Sequence, residues 1–101
     1  MTKTIEEMVK ELDGVFGVFK RMFKRHNEKR RDIFGDKATC MRKAHSGIEI
    51  FIFSNQSNSC GISFYKHMDT DNQKRFFSYG ENIEEAVKVA HDHFIVQGNE
   101  L

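Results

Sequence analysis

The residues in this chain best suited to chemistry are a cluster of cations, a set of strand-borne aromatics and a few scattered thiols and imidazoles. The run KRMFKRHNEKRR sets Lys20, Arg21, Lys24, Arg25, Lys29, Arg30 and Arg31 against Glu28 alone, a local charge of +6. At helical spacing Lys20, Lys24, Glu28 and Arg31 share one stripe, with Arg21 and Arg25 beside it. Cations repeated once per turn can follow a phosphate backbone, and the counterions they displace supply the affinity. The competing account is a solvated face whose long stems cover an apolar seam. Net charge over the whole chain is only +1, but residues 1–45 hold 12 Lys/Arg against 7 Asp/Glu, and residues 46–101 hold 4 against 8. Segregation of this kind makes a local field that the total conceals.

The aromatics come next. In IEIFIF, Ile48, Ile50 and Ile52 alternate with Glu49, Phe51 and Phe53. Period-two alternation sets Ile62 and Phe64 apart from Ser63, Tyr65 and His67, and Phe77 and Tyr79 apart from Phe76 and Ser78. The aliphatic-rich sets are expected to face the helices. That leaves Glu49, Phe51 and Phe53, then Ser63, Tyr65 and His67, then Phe76 and Ser78 on a mixed face, too apolar for open water and too polar for a core. Such a face can stack unpaired bases or meet a protein partner or second copy.

Thiols and imidazoles offer less. Cys40, His45, Cys60 and His67 are soft ligands, but C-x4-H followed by C-x6-H matches no zinc spacing, so no metal is expected. His91 and His93 are two apart and diverge on a helix. Nothing pairs a cysteine with a histidine base, and GVFG lacks the spacing and the Lys-Ser/Thr of a phosphate loop. The chain is expected to be neither an enzyme nor the holder of a cofactor.

These residues need elements to position them. Ile5, Met8, Leu12, Phe16, Phe19 and Phe23 recur three or four apart, with Val9, Val15, Val18 and Met22 widening the stripe. This spacing predicts one long amphipathic helix over Ile5–Phe34 that continues across Gly14 and Gly17. The competing arrangement stops the helix at Asp13 and makes Val15–Phe19 a strand. Thr2 or Thr4 can cap the start, and Gly35 the end. Ala38–Ala44 is a strand candidate with little alternation, and His45-Ser46-Gly47 is a turn. Strands follow at Ile48–Phe53, Cys60–His67 and Lys74–Tyr79, separated by SNQSNS and MDTDNQ. Connections this short imply an antiparallel meander. Asn82, with Glu85 three residues on, opens a final helix carrying Ile83, Ala86, Val87, Ala90 and Phe94, and Gly98 ends it.

The expected architecture is therefore α+β: an antiparallel β-meander of three to four strands, with a long N-terminal helix and a C-terminal helix packed on one face. With 101 residues it makes a single domain, 1–101. The order helix, strands, helix resembles that of double-stranded-RNA-binding domains. The resemblance is in element order only, since the last helix opens with Glu81, Glu84 and Glu85 where those domains present lysines. There is no apolar run of membrane-spanning length and no secretory pattern, so a cytoplasmic protein with reduced thiols and no membrane partner is expected.

The expected function is non-catalytic binding, first of nucleic acid, as RNA or single strands. Lys20, Arg21, Lys24, Arg25 and Arg31 would hold phosphates, and Phe51, Tyr65 and Phe76 would stack bases. The alternative is a protein-interaction module, an inhibitor or adaptor that can also pair as a homodimer, gripping an acidic partner surface.

Overall fold

A computed structural model describes residues 3–32, 38–43, 47–54 and 60–101, and the side chains of 3–28, 47–53 and 60–101. Gly35, His45-Ser46, Thr2 and most of SNQSNS, all assigned roles above, lie outside the described residues. The first helical run is two helices, α1 (Ile5–Phe16) and α2 (Phe19–Asp32). Thr4 caps α1 in a reciprocal box: its hydroxyl accepts from the Glu7 N–H, and the Glu7 carboxylate accepts from the Thr4 N–H.

The predicted continuous helix fails at Gly17. Its φ of 84° lies in the left-handed region, where a Cβ is costly, and its N–H closes α1 on the Asp13 carbonyl. The Asp13 carboxylate then accepts from the backbone N–H of Lys20 and so caps the first turn of α2. The competing strand over Val15–Phe19 is absent too. The apolar period survives the break because each helix buries its own stripe: Val9, Leu12 and Phe16 on α1, Phe19, Met22 and His26 on α2. Val15 falls off the stripe and is exposed, and Phe23 is half-buried at the core's edge.

Four strands follow: β1 (Ala38–Lys43), β2 (Ile48–Ser54), β3 (Cys60–Lys66) and β4 (Lys74–Gly80). They form one antiparallel sheet in chain order, β1-β2-β3-β4. Helix α3 (Ile83–His91) follows, capped by Asn82, whose side-chain oxygen accepts from the Glu85 N–H. It runs on without a cap into a π-helical stretch, Asp92–Val96. Helix α2 lies over β1 and β2, α3 over β3 and β4, and α1 touches both helices. The class, the antiparallel meander and the placing of the helices on one face are as the sequence predicts.

The core lies between that helical layer and one sheet face. Ile50, Ile52, Cys60, Ile62 and Phe64 meet Leu12, Phe16, Phe19, Met22, Val87 and Ala90 there. Phe64 stands at its centre, its ring 4.9 Å from Phe16, 5.0 Å from Phe94 and 6.2 Å from Phe19 and Phe76. Beside this core, Glu11 of α1 joins His91 of α3 at 3.3 Å and also binds Lys3.

The last strand is inverted relative to the expectation. The register pairs Phe76 with Phe64 and Ser78 with Ile62, so Phe76 and Ser78 face the helices. Ser78 is buried, and its hydroxyl donates to the Ile62 carbonyl, while Phe76 stacks on His93 at 3.8 Å. Phe77 and Tyr79 point the other way.

Cys60 is buried in the core at the start of β3. Cys40 aligns with Ile52, and Ile52 with Ile62. Cys60 itself aligns with Ser54, so the two cysteines lie two strand spacings apart across the sheet and two residues apart along it, about 12 Å in all and beyond the reach of a disulfide. Cys60 and His67 lie at opposite ends of β3 and cannot act on one ion or one substrate.

Candidate functional site: the uncovered face of the sheet

On the side away from the helices the register builds a grid. Phe51, Ser63 and Phe77 make its middle row, with Glu49, Tyr65 and Arg75 on one side and Phe53, Gly61 and Tyr79 on the other. Among the described residues no helix packs over it. Four of its five rings, Phe51, Phe53, Tyr65 and Phe77, are half-buried, and Tyr79 is 60% exposed. Apolar surfaces of this kind are common at contact sites of folded proteins.

The rings hold one another. Phe51 meets Tyr65 at 5.7 Å and 90°, Tyr65 meets Phe77 at 5.7 Å and 79°, and Phe53 meets Tyr79 at 6.4 Å and 70°. These are edge-to-face contacts, which the ring quadrupole favours. Phe77 and Tyr79 lie closer to parallel at 29°, and the Arg75 guanidinium stands 5.7 Å over Phe77. Gly61 makes one corner possible. A Cβ there would come within 2.5 Å of the Phe53 ring and 3.1 Å of Tyr79, so the two rings close over bare backbone. The sequence places Phe51, Phe53 and Tyr65 on this surface but not Phe77 and Tyr79, which alternation by residue type assigns to the helical side. Phe76, assigned to it, belongs to the core side.

The basic helix is elsewhere. Lys20, Arg21, Lys24 and Arg25 are exposed on α2, while Phe19, Met22 and His26 of the same helix face the sheet's inner side. These four cations of α2 and the aromatic grid therefore lie on opposite sides of the molecule, separated by the core, and do not form one site. Arg31 belongs to the last turn of α2, and its side chain lies outside those described.

Between α1 and α2 runs a groove of about 850 Å³. It is lined by Glu6, Glu7 and Lys10 from α1 and by Lys20, Lys24 and Glu28 from α2, with Val9 and Phe23 beside them. The carboxylates of α1 thus offset part of the field that the sequence of α2 alone suggests. Glu11, outside that groove, has its carboxyl held below its ordinary value, first by the hydrogen bond from Lys3 and then by His91.

Among the described residues no group of three or more His, Cys, Asp or Glu could hold a metal ion, and no helix is long and apolar enough to cross a membrane. No protein-family model, curated protein or solved structure matches this chain.

Proposed function

We propose that this chain is a non-catalytic protein-interaction module whose working surface is the aromatic face of the sheet. The observation that carries this is the gathering of Phe51, Phe53, Tyr65, Phe77 and Tyr79 on the one side that no described helix covers. Aromatic side chains bring large contact area at low entropic cost and dominate the energetics of protein interfaces. Base stacking is served less well. It needs free ring faces beside cations that track phosphates, whereas these rings are turned edge-on into one another and Arg75 already stands over Phe77.

Photo-cross-linking in the native host tests the reading. A photoreactive phenylalanine analogue at position 51 or 79 should give discrete protein adducts, and the same group at Lys24 should give none. Nuclease-sensitive adducts from 51 or 79 would replace the protein partner with a nucleic acid. Adducts from Lys24 alone would overturn the face as the working surface.

A second reading rests on the four exposed cations of α2, which favour nucleic acid on the helical layer. Reversing Lys20 and Lys24 to Glu should then abolish retention of RNA or DNA without lowering the melting temperature. In the unaltered chain log K should fall with log salt by roughly 0.9 per phosphate on a duplex and about 0.7 on a single strand. A flat salt response removes this reading.

A further inference from the structure

Among the described residues strand β4 forms one edge of the sheet and pairs with β3 alone. It is seven residues long, carries no proline and ends on a half-buried glycine. An edge like this offers a row of backbone donors and acceptors to another strand. From its sequence, its register and the helix above it, we infer that the occupant is β4 of a second copy, paired antiparallel about a two-fold axis at Phe77.

Three layers of the molecule agree on that axis. In the backbone layer, a two-fold normal to the sheet pairs residues of like parity, and only centring on Phe77 pairs all of Lys74–Gly80. Arg75 then stands opposite Tyr79 of the second copy, and Lys74 opposite Gly80. The strand is basic at its start, with Lys74 and Arg75, and is followed at its end by exposed Glu81. Antiparallel pairing brings each basic end beside the other copy's Glu81 and keeps the two Lys74 residues about 20 Å apart.

On the open face, Tyr79 is the most exposed ring of the grid, at 60%. Pairing about Phe77 places the other copy's Arg75 directly across from it, the arrangement that Arg75 already shows with Phe77 in its own chain. In the helical layer, α3 runs back along β4: Glu85 packs against Gly80, and His93 stacks on Phe76. Val89, midway between them, is therefore level with Ser78, next to the central Phe77. It lies two residues from His91, which reaches α1, so it projects from the opposite flank, toward the β4 edge. Val89 is 43% exposed, and pairing about Phe77 brings it up to its own symmetry mate. The result is a continuous eight-stranded sheet with one aromatic face of double extent.

The inference is independent of the partner-binding proposal: a monomer would leave that proposal standing, and a dimer would survive loss of cross-links from the face. Sedimentation of the intact chain should give a dimer, and Val89→Lys should weaken self-association by about tenfold or more through like charges near the axis. Phe77→Cys should form an intermolecular disulfide in air, since opposed Cα atoms lie about 4.5–5.5 Å apart. Arg75→Cys and Tyr79→Cys should each fail to cross-link alone and should cross-link when mixed. The unaltered chain, whose Cys60 is buried, serves as the control. A monomer at all concentrations overturns the inference. So does a dimer that Val89→Lys leaves unchanged, or one in which position 75 or 79 alone cross-links in place of 77.

Discussion

Truncating Phe64 and Phe51 in parallel separates the covered face of the sheet from the open one. Phe64 is fully buried, and the rings around it come from α1, α2, β4 and the π-helical stretch. A cavity there closes only if four elements move together, so Phe64→Ala should fall toward the upper part of the about 3–5 kcal/mol typical of a core Phe. That is a large share of the roughly 5–15 kcal/mol available to a domain of this size. Urea unfolding followed by far-ultraviolet circular dichroism should show a midpoint lower by about 1 M or more, at slopes of about 1–3 kcal/mol/M. Phe51 is half-buried and keeps one side open, so Phe51→Ala should cost about 1–2 kcal/mol, in proportion to the smaller area removed from contact. The pair should be run at a concentration where sedimentation shows a single species, because a covered face would stabilise the folded state by mass action. Equal losses, or a larger loss at Phe51, would refute the assignment of faces.

Two further perturbations test the helical layer. Gly17→Ala forces a Cβ into the left-handed turn between α1 and α2 and should cost about 1–2 kcal/mol, read as a fall of several degrees in melting temperature. Glu11, held acidic by Lys3 and then His91, adds stability that is fully present above its ordinary value of 4.5 and is lost as pH falls through the lowered one. Glu11→Gln should flatten that part of the acid limb in a pH series of melts, and an unchanged acid limb would refute the role given to this carboxyl.

The fold was legible where pattern and composition agree. IEIFIF reads as a strand from its β-branched and aromatic composition, Asn82 and Glu85 announced the last helix, and short connections implied the meander. The break at Gly17 was hidden because α1 and α2 carry stripes of the same period, so the pattern runs through a turn that the backbone does not. The inversion of β4 has a different cause. Parity was judged from side-chain type, which favoured Phe77 and Tyr79 over Phe76 and Ser78 as partners of Ile62. Ser78 is tolerated in the core because its hydroxyl bonds the Ile62 carbonyl, and Gly61 is needed on the open side because two rings close over it. Each residue sits on the face its polarity would not choose, and the surrounding pairing decides. The basic run was readable as charge, but not its distance from the aromatics, which depends on which layer α2 joins.

A sheet whose spatial order repeats its chain order also bears on how fast the molecule reaches its native state. Each strand pairs with its neighbour in sequence, and α1 packs on α2 across one short turn, so most closures involve small loops and lose little chain entropy. Folding rate falls as the mean sequence separation of contacts rises, so the neighbour-to-neighbour strand pairing favours speed. The conspicuous exception is the closure of α3 onto α1, where Glu11 meets a histidine 80 residues away. That docking closes the longest loop among the contacts described and is the step best placed to be late. Substitutions at the α1–α3 seam should therefore accelerate unfolding more than they slow folding.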